Sequence, residues 1–174
     1  MKTIKQLIEE MENVRLKGDA QHLYVQFEHK LRTSPASTRF HQSYEGGLYD
    51  HIELGMNVVD TLYDFLKSIG FSLGFTKDDA MFVYLIHDFG KTELYRQVSP
   101  GVFKYIPNKP SHEMLCKILL REQCMTLSSE HDQAVTFHHG GWSTAKQPPT
   151  LSQLTYFTHI CDLIASQFGR PEWK

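Results

Sequence analysis

No apolar run in this 174-residue chain approaches the ~20 residues that a membrane-crossing helix needs, so no span is expected. Cysteine is scarce: Cys116, Cys124 and Cys161 are odd in number and form no Cys-x-x-Cys motif, which leaves no disulfide framework to read. Their apolar, helical surroundings predict buried free thiols in a reducing cytoplasm. An excess of one charge is also missing. Eighteen Lys and Arg stand against twenty Asp and Glu, a formal net charge of −2. Bulk electrostatics therefore give no reason to expect a membrane surface or an extended nucleic-acid surface, although a local basic pocket for a nucleotide or short single strand stays open. The opening Met1-Lys2-Thr3-Ile4-Lys5-Gln6 has no long apolar core, and no secretory signal is expected. Repeats and low-complexity tracts are absent. The length suits one domain with a sizeable core.

What is present is helical periodicity. Ile4, Leu7, Ile8 and Met11 have helical spacing, and a second helix is expected over residues 20–31. Residues 32–39 read as a loop. Leu48, Ile52, Gly55, Val59, Leu62, Leu66 and Ile69 step by three and four, and His51 falls on the core side of that helix. Thr76 with Asp79 has the form of a capping box that opens an apolar helix over residues 80–86, which Gly90 is placed to end. Residues 94–98 and 102–106 flank Ser99-Pro100-Gly101 and predict a β-hairpin, with an irregular lid as the alternative. Ser111 caps a helix to about Gln123, and another runs over residues 129–138. Thr150 to Gln153 predicts a capping box for a last helix ending near Phe168. The fold class expected is all-α with a small inserted hairpin.

Polar residues interrupt the segments that otherwise read as core. His87-Asp88 closes the run Ala80-Met81-Phe82-Val83-Tyr84-Leu85-Ile86. Burying an imidazole beside a carboxylate is costly unless something satisfies both, and a metal ion does so. His51, His112, His138, His139 and Asp162 lie in comparable settings. These are too many for one tetrahedral site and suit two adjacent divalent cations bridged by Asp88. Such a pair can clamp the attacking and leaving oxygens of a displacement at phosphorus. A hydrogen-bonded core pair is the alternative for any one of these residues, but buried polar groups in this number need partners.

The order His51, His87-Asp88, Asp162, with Lys91 after the pair, resembles the HD superfamily of metal-dependent phosphohydrolases over residues 34–165. Residues 34–41 followed by Glu45-Gly46-Gly47-Leu48-Tyr49-Asp50-His51 resemble the start of the HD domain in 3′→5′ exoribonucleases and in small stand-alone HD proteins. His138-His139-Gly140-Gly141-Trp142 resembles the double-histidine segment of two-metal HD enzymes, and His159-Ile160-Cys161-Asp162 resembles their closing helix. The resemblance implies an HD-domain helical bundle over residues 34–168, preceded by a helical extension over residues 1–33. It implies a first metal on His51, His87, Asp88 and Asp162. Asp88 would bridge to a second on His112 with His138, His139 or both. Manganese, iron, magnesium, nickel and zinc are not distinguished. Lys91 would bind a substrate phosphate oxygen or position the nucleophilic water, with a surface lysine favoured by the helix dipole as the alternative.

Around that set, Arg39, Lys104, Lys109 and Lys146 are candidate phosphate contacts, with solvated surface charge as the alternative. Trp142, Tyr95 and Tyr105 are candidates to stack on a base or to cover the core. His159 is a candidate to orient Asp162, with core hydrogen bonding as the alternative, and His41 to line the mouth, with an exposed loop residue as the alternative. His22, His29 and His131 carry no signal beyond surface helix. The first 35 or so residues are too few for an oligonucleotide-binding domain, so RNA degradation is not carried over. The Gly-Tyr-Pro element of the cyclic-dinucleotide enzymes is missing after His139. The function expected is hydrolysis of a phosphate ester of a nucleotide or short oligonucleotide by a metal-bound hydroxide, with no membrane partner and a homo-oligomer left open. The alternatives are a di-iron oxygenase on the same ligands and a nucleotide-binding module without turnover.

Overall fold

The computed structural model describes residues 1–143 and 145–169. In chain order its helices are α1 (Ile4–Glu9), α2 (Val14–Thr33), α3 (Gly47–Ser68), α4 (Lys77–Ile86), α5 (His112–Glu122), α6 (Ser129–Phe137) and α7 (Gln153–Phe168). Strands β1 (Tyr95–Ser99) and β2 (Val102–Tyr105) lie between α4 and α5. Short 3-10 turns cover Phe89–Glu93 and Gly140–Trp142. The chain is thus mainly helical with a small two-stranded antiparallel sheet.

Helix α4 forms the middle. Its capping box is made as expected: the Thr76 hydroxyl accepts from Asp79 N, and the Asp79 carboxylate accepts from Thr76 N. Every residue from 80 to 86 is buried, so the helix is apolar all round and must be enclosed. At roughly 1.5–3 kcal/mol per large apolar side chain, this segment is a main source of folding free energy. Helices α2, α3, α6 and α7 pack around it, and α3 also packs on α7. Ile4, Leu7 and Ile8 of α1 join the same apolar cluster as Leu85, Leu120 and Phe157. No helix among the described residues is long and apolar enough to cross a membrane.

Several boundaries differ from expectation. Helix α2 begins at Val14, six residues early, because the Asn13 side chain accepts from Arg15 N and Leu16 N. Helix α4 ends at Ile86 with His87 as its cap, so Gly90 does not stop it. Gly90 instead permits contact: a Cβ there would lie 1.9 Å from the His112 carbonyl oxygen and 2.8 Å from Cys116 N. The cap of α7 is Ser152, which accepts from Thr155 N, and not Thr150. Of the cysteines, Cys116 and Cys161 are buried, but Cys124 is exposed. The hairpin is present, with Tyr95 opposite Tyr105, Arg96 opposite Lys104, Gln97 opposite Phe103, and an irregularity between Gln97 and Ser99.

Candidate metal centre

The fold gathers residues from five helices at one point. His51 stands in the first turns of α3, and His87 caps α4. Asp88 opens the 3-10 turn after it, and His112 is the first residue of α5. His138 caps α6, His139 follows it, and Asp162 lies within α7. Two ligand groups result: His51, His87, Asp88 and Asp162, and Asp88, His112, His138 and His139. Asp88 belongs to both, one oxygen to each. Its Oδ2 lies 3.6 Å from His51 Nε2 and 3.4 Å from His87 Nε2. Its Oδ1 lies 3.4 Å from His112 Nε2 and 3.7 Å from His138 Nε2. Asp162 Oδ1 lies 3.0 Å from His51 Nε2 and 3.6 Å from His87 Nε2. In the second group His112 Nε2 is 3.3 Å from His138 Nε2 and 3.1 Å from His139 Nε2.

These separations have a simple measure. Donors about 2.1 Å from a cation lie about 3.0 Å apart at octahedral angles and about 3.4 Å apart at tetrahedral ones. The donors here are spaced to share a cation. Several of their polar atoms also lack other partners. Both His51 nitrogens, His87 Nε2 and Asp88 Oδ1 are buried and make no hydrogen bond. The 3.0 Å approach of His51 to Asp162 is therefore a contact without hydrogen-bond geometry. Orphaned buried groups are rare and costly in folded proteins, and a cation on each side of Asp88 would satisfy them. The outer nitrogens are arranged to match. His87 Nδ1–H donates to Tyr84 O at 2.6 Å, and His138 Nδ1–H donates to Val135 O at 2.7 Å. Both rings thereby present Nε2 to the centre. The residues fit two divalent cations.

The electrostatics are those of a buried ligand cage. Burial penalises a charged imidazole throughout. It lowers His51, pushes His112 down to about 4, and holds His138 well below its usual range with help from His139 and His87. At His87 the carboxylates Asp88 and Asp162 outweigh burial and push the pKa up to about 10. Burial works against ionised Asp88 as well, but Lys91 and His87 outweigh it and hold the carboxyl well below the carboxylate range. Asp162 is held down likewise by His139, His51 and His87 against burial. Lys91 is 6% exposed and donates to Asp88 Oδ2 at 2.5 Å.

The centre opens into a cleft of about 340 Å³. Lys91, His112 and His139 form its floor, and His41, Tyr95, Tyr105, Glu113 and Trp142 line its sides. Of the residues singled out in the sequence, Lys91, His41, Tyr95, Tyr105 and Trp142 are thus brought to the centre. Arg39, Lys104, Lys109 and Lys146 do not line the cleft and are exposed. His159 does not reach Asp162. Its Nδ1–H donates to His138 O at 2.7 Å, and its ring fills the space beside Gly140, whose φ of +56° needs no side chain there. His131 is buried and donates to Asp79 Oδ1 at 2.9 Å, not the surface residue expected. Two residues were missed. Gln42 is buried and takes the His41 Nδ1–H at 2.7 Å. Glu113 is 5% exposed and approaches His112 Nδ1 to 3.5 Å. Only the N-cap Ser111 before His112-Glu113 hinted that this turn faced inward.

Compared with models of known protein families, with curated proteins and with solved structures, the chain has no significant match in any of the three.

Proposed function

We propose that the chain is a metal-dependent phosphohydrolase of the HD type, acting on a phosphate ester of a nucleotide or short oligonucleotide. The observation that carries this reading is Asp88, a buried carboxylate with one oxygen toward each of two ligand groups. His51, His87, Asp88 and Asp162 would hold one cation, and Asp88, His112, His138 and His139 the other. Two such cations, when bound, supply Lewis acidity at phosphorus and lower the pKa of a bound water toward ~7.

The protein's own groups do the rest. Lys91 keeps its charge, because Asp88 outweighs the cost of burial. At the floor of the cleft it can hold a phosphate oxygen and stabilise the charge that grows on it. The carbonyl contacts of His87 and His138 keep the rings from turning as the substrate enters. Trp142 and Tyr105 can take the base. Elemental analysis of the purified protein, followed by a nucleotide-hydrolysis screen with the metal found, tests the proposal. Two equivalents of divalent metal and release of phosphate or nucleotide are expected. A metal-free protein that cannot be loaded contradicts it.

The donor set is entirely imidazole and carboxylate, which suits iron as well as manganese. That supports a second reading, a di-iron oxygenase. Anaerobic purification, iron quantitation and electron paramagnetic resonance separate the two. A mixed-valence signal perturbed by a small polyol favours the oxygenase, and phosphate release with manganese favours the hydrolase.

A further inference from the structure

The segments around the mouth of the cleft carry almost no negative charge. Residues 34–44, 94–112 and 133–161 contain no Asp or Glu, in a chain where acids outnumber bases. Each contributes to the cleft: Ala36, Ser37 and His41 from the first, Tyr95 and Tyr105 from the second, His139 and Trp142 from the third. The acid lining the cleft is Glu113, which is turned toward His112. Arg39, Arg96, Lys104, Lys109 and Lys146 lie on these segments, are exposed, and make no ion pair among the described residues. Their neighbours Lys30, Arg32 and Lys91 are all paired.

One feature is hard to explain as ordinary surface: large aromatic side chains are left in water on the same segments as these cations. Arg39 lies between the cleft residues Ser37 and His41, and Lys109 lies two residues before Ser111. Arg96 and Lys104 pair on the hairpin face turned away from Tyr95 and Tyr105. Trp142 is 76% exposed, Phe40 74% and Tyr105 49%. One exposed aromatic needs no explanation. Here each belongs to a mouth segment, with unpaired cations interleaved along the same segments. Gln147, next to Lys146 in the chain, donates to the carbonyl of Gly140, two residues before Trp142.

We propose that this rim is a binding track for a short unpaired oligonucleotide. Bases stack on Trp142 and Tyr105, and phosphates flanking the cleft pair with Arg39, Lys109 and Lys146. The cleft itself holds about one nucleotide, at the small end of ligand pockets, so neighbouring nucleotides lie on the rim. Stacking on exposed aromatics accepts any unpaired base and excludes paired ones. The inference rests on the phosphohydrolase reading only for the strand's direction into the metal centre.

The test is fluorescence anisotropy of the purified protein with a labelled thymidine hexanucleotide, its linkages phosphorothioate to keep it intact. The parallel probes are the RNA counterpart, the same hexamer in a duplex, and thymidine monophosphate as competitor. The single strand is expected to bind at least about tenfold more tightly than the monophosphate or the duplex. The DNA and RNA arms identify which strand is preferred, and tight binding of either supports the track. With about three phosphates neutralised, raising salt from 50 to 200 mM should weaken binding about 18-fold. Trp142→Ala should cost about tenfold, and Arg39→Ala or Lys109→Ala should each flatten the salt dependence, with metal content unchanged. A monophosphate or duplex binding as tightly as the hexamer, an affinity indifferent to salt, or variants that bind normally would each overturn the track. Hydrolysis of thymidine monophosphate without hexamer binding would refute the track and leave the hydrolase. Hexamer binding by a protein that hydrolyses nothing would do the reverse.

Discussion

Gly90→Ala should damage the second ligand group while leaving the first nearly intact. Gly90 lies between Asp88 and Lys91, in the 3-10 turn that packs against α5. An added methyl would sit 1.9 Å from the His112 carbonyl oxygen, 2.7 Å from its carbon and 2.8 Å from Cys116 N. These are backbone atoms, so no side chain can swing aside. Ordinary contact needs about 3.5 Å, so the start of α5 must retreat by about 1.5 Å. His112 moves with it and leaves Asp88 Oδ1, now at 3.4 Å. Overpacking of this kind costs roughly 1–3 kcal/mol, or about 2–12 °C in melting temperature for a chain of this size. Displacing a ligand should weaken the second cation by roughly 10–100-fold, the range seen when a ligand's support is removed. The assay is manganese titration with thermal unfolding on the same samples. A variant that melts like the parent and takes up both cations with parental affinity would refute the packing argument.

Asp88→Ala is expected to abolish both cation sites and all activity, whereas His112→Ala should lose one equivalent; elemental analysis reads both, and a metal-replete Asp88→Ala protein contradicts the bridging role. Lys91→Ala should retain metal but lose activity by roughly 10²-fold or more, read by initial rates; unchanged rates would remove Lys91 from the chemistry. The metal-free protein should lose stability as pH falls from about 6.5 to 4. Burial keeps His41 and His112 neutral in the fold down to about 4, while both bind protons near 6.5 once unfolded. The unfolded state therefore holds more protons in that window, and acid favours it. His87 acts in the opposite sense: raised to about 10, it contributes stability below 6.5 that is lost as pH rises toward 10. Melting temperature should decline on both sides of about pH 6.5, and a profile flat from 6.5 to 4 would contradict the assignment.

The sequence was most legible where local periodicity and local hydrogen bonding coincide. Helix α3 and the Thr76–Asp79 cap of α4 are of that kind. The candidate ligands were legible because they interrupt apolar helices: a histidine in the position of a leucine is visible without a structure. What escaped depends on distant contacts. The start of α2 was hidden by an exposed Val14 and by Gly18, and the chain before it is held by Asp78, whose carboxylate accepts from Glu12 N and Asn13 N. The burial of His131 depends on Asp79, and the true partner of His159 is the His138 carbonyl. Gly90 reads locally as a helix stop, and only the approach of α5 reveals why a side chain is not tolerated there.

The most direct measurement is electron paramagnetic resonance of the protein titrated with manganese. One carboxylate shared by two ligand groups predicts two equivalents bound per chain and a spin-coupled pair in place of the isolated six-line signal. Full loading that shows only isolated ions, or no manganese bound at all, would contradict a centre bridged by Asp88.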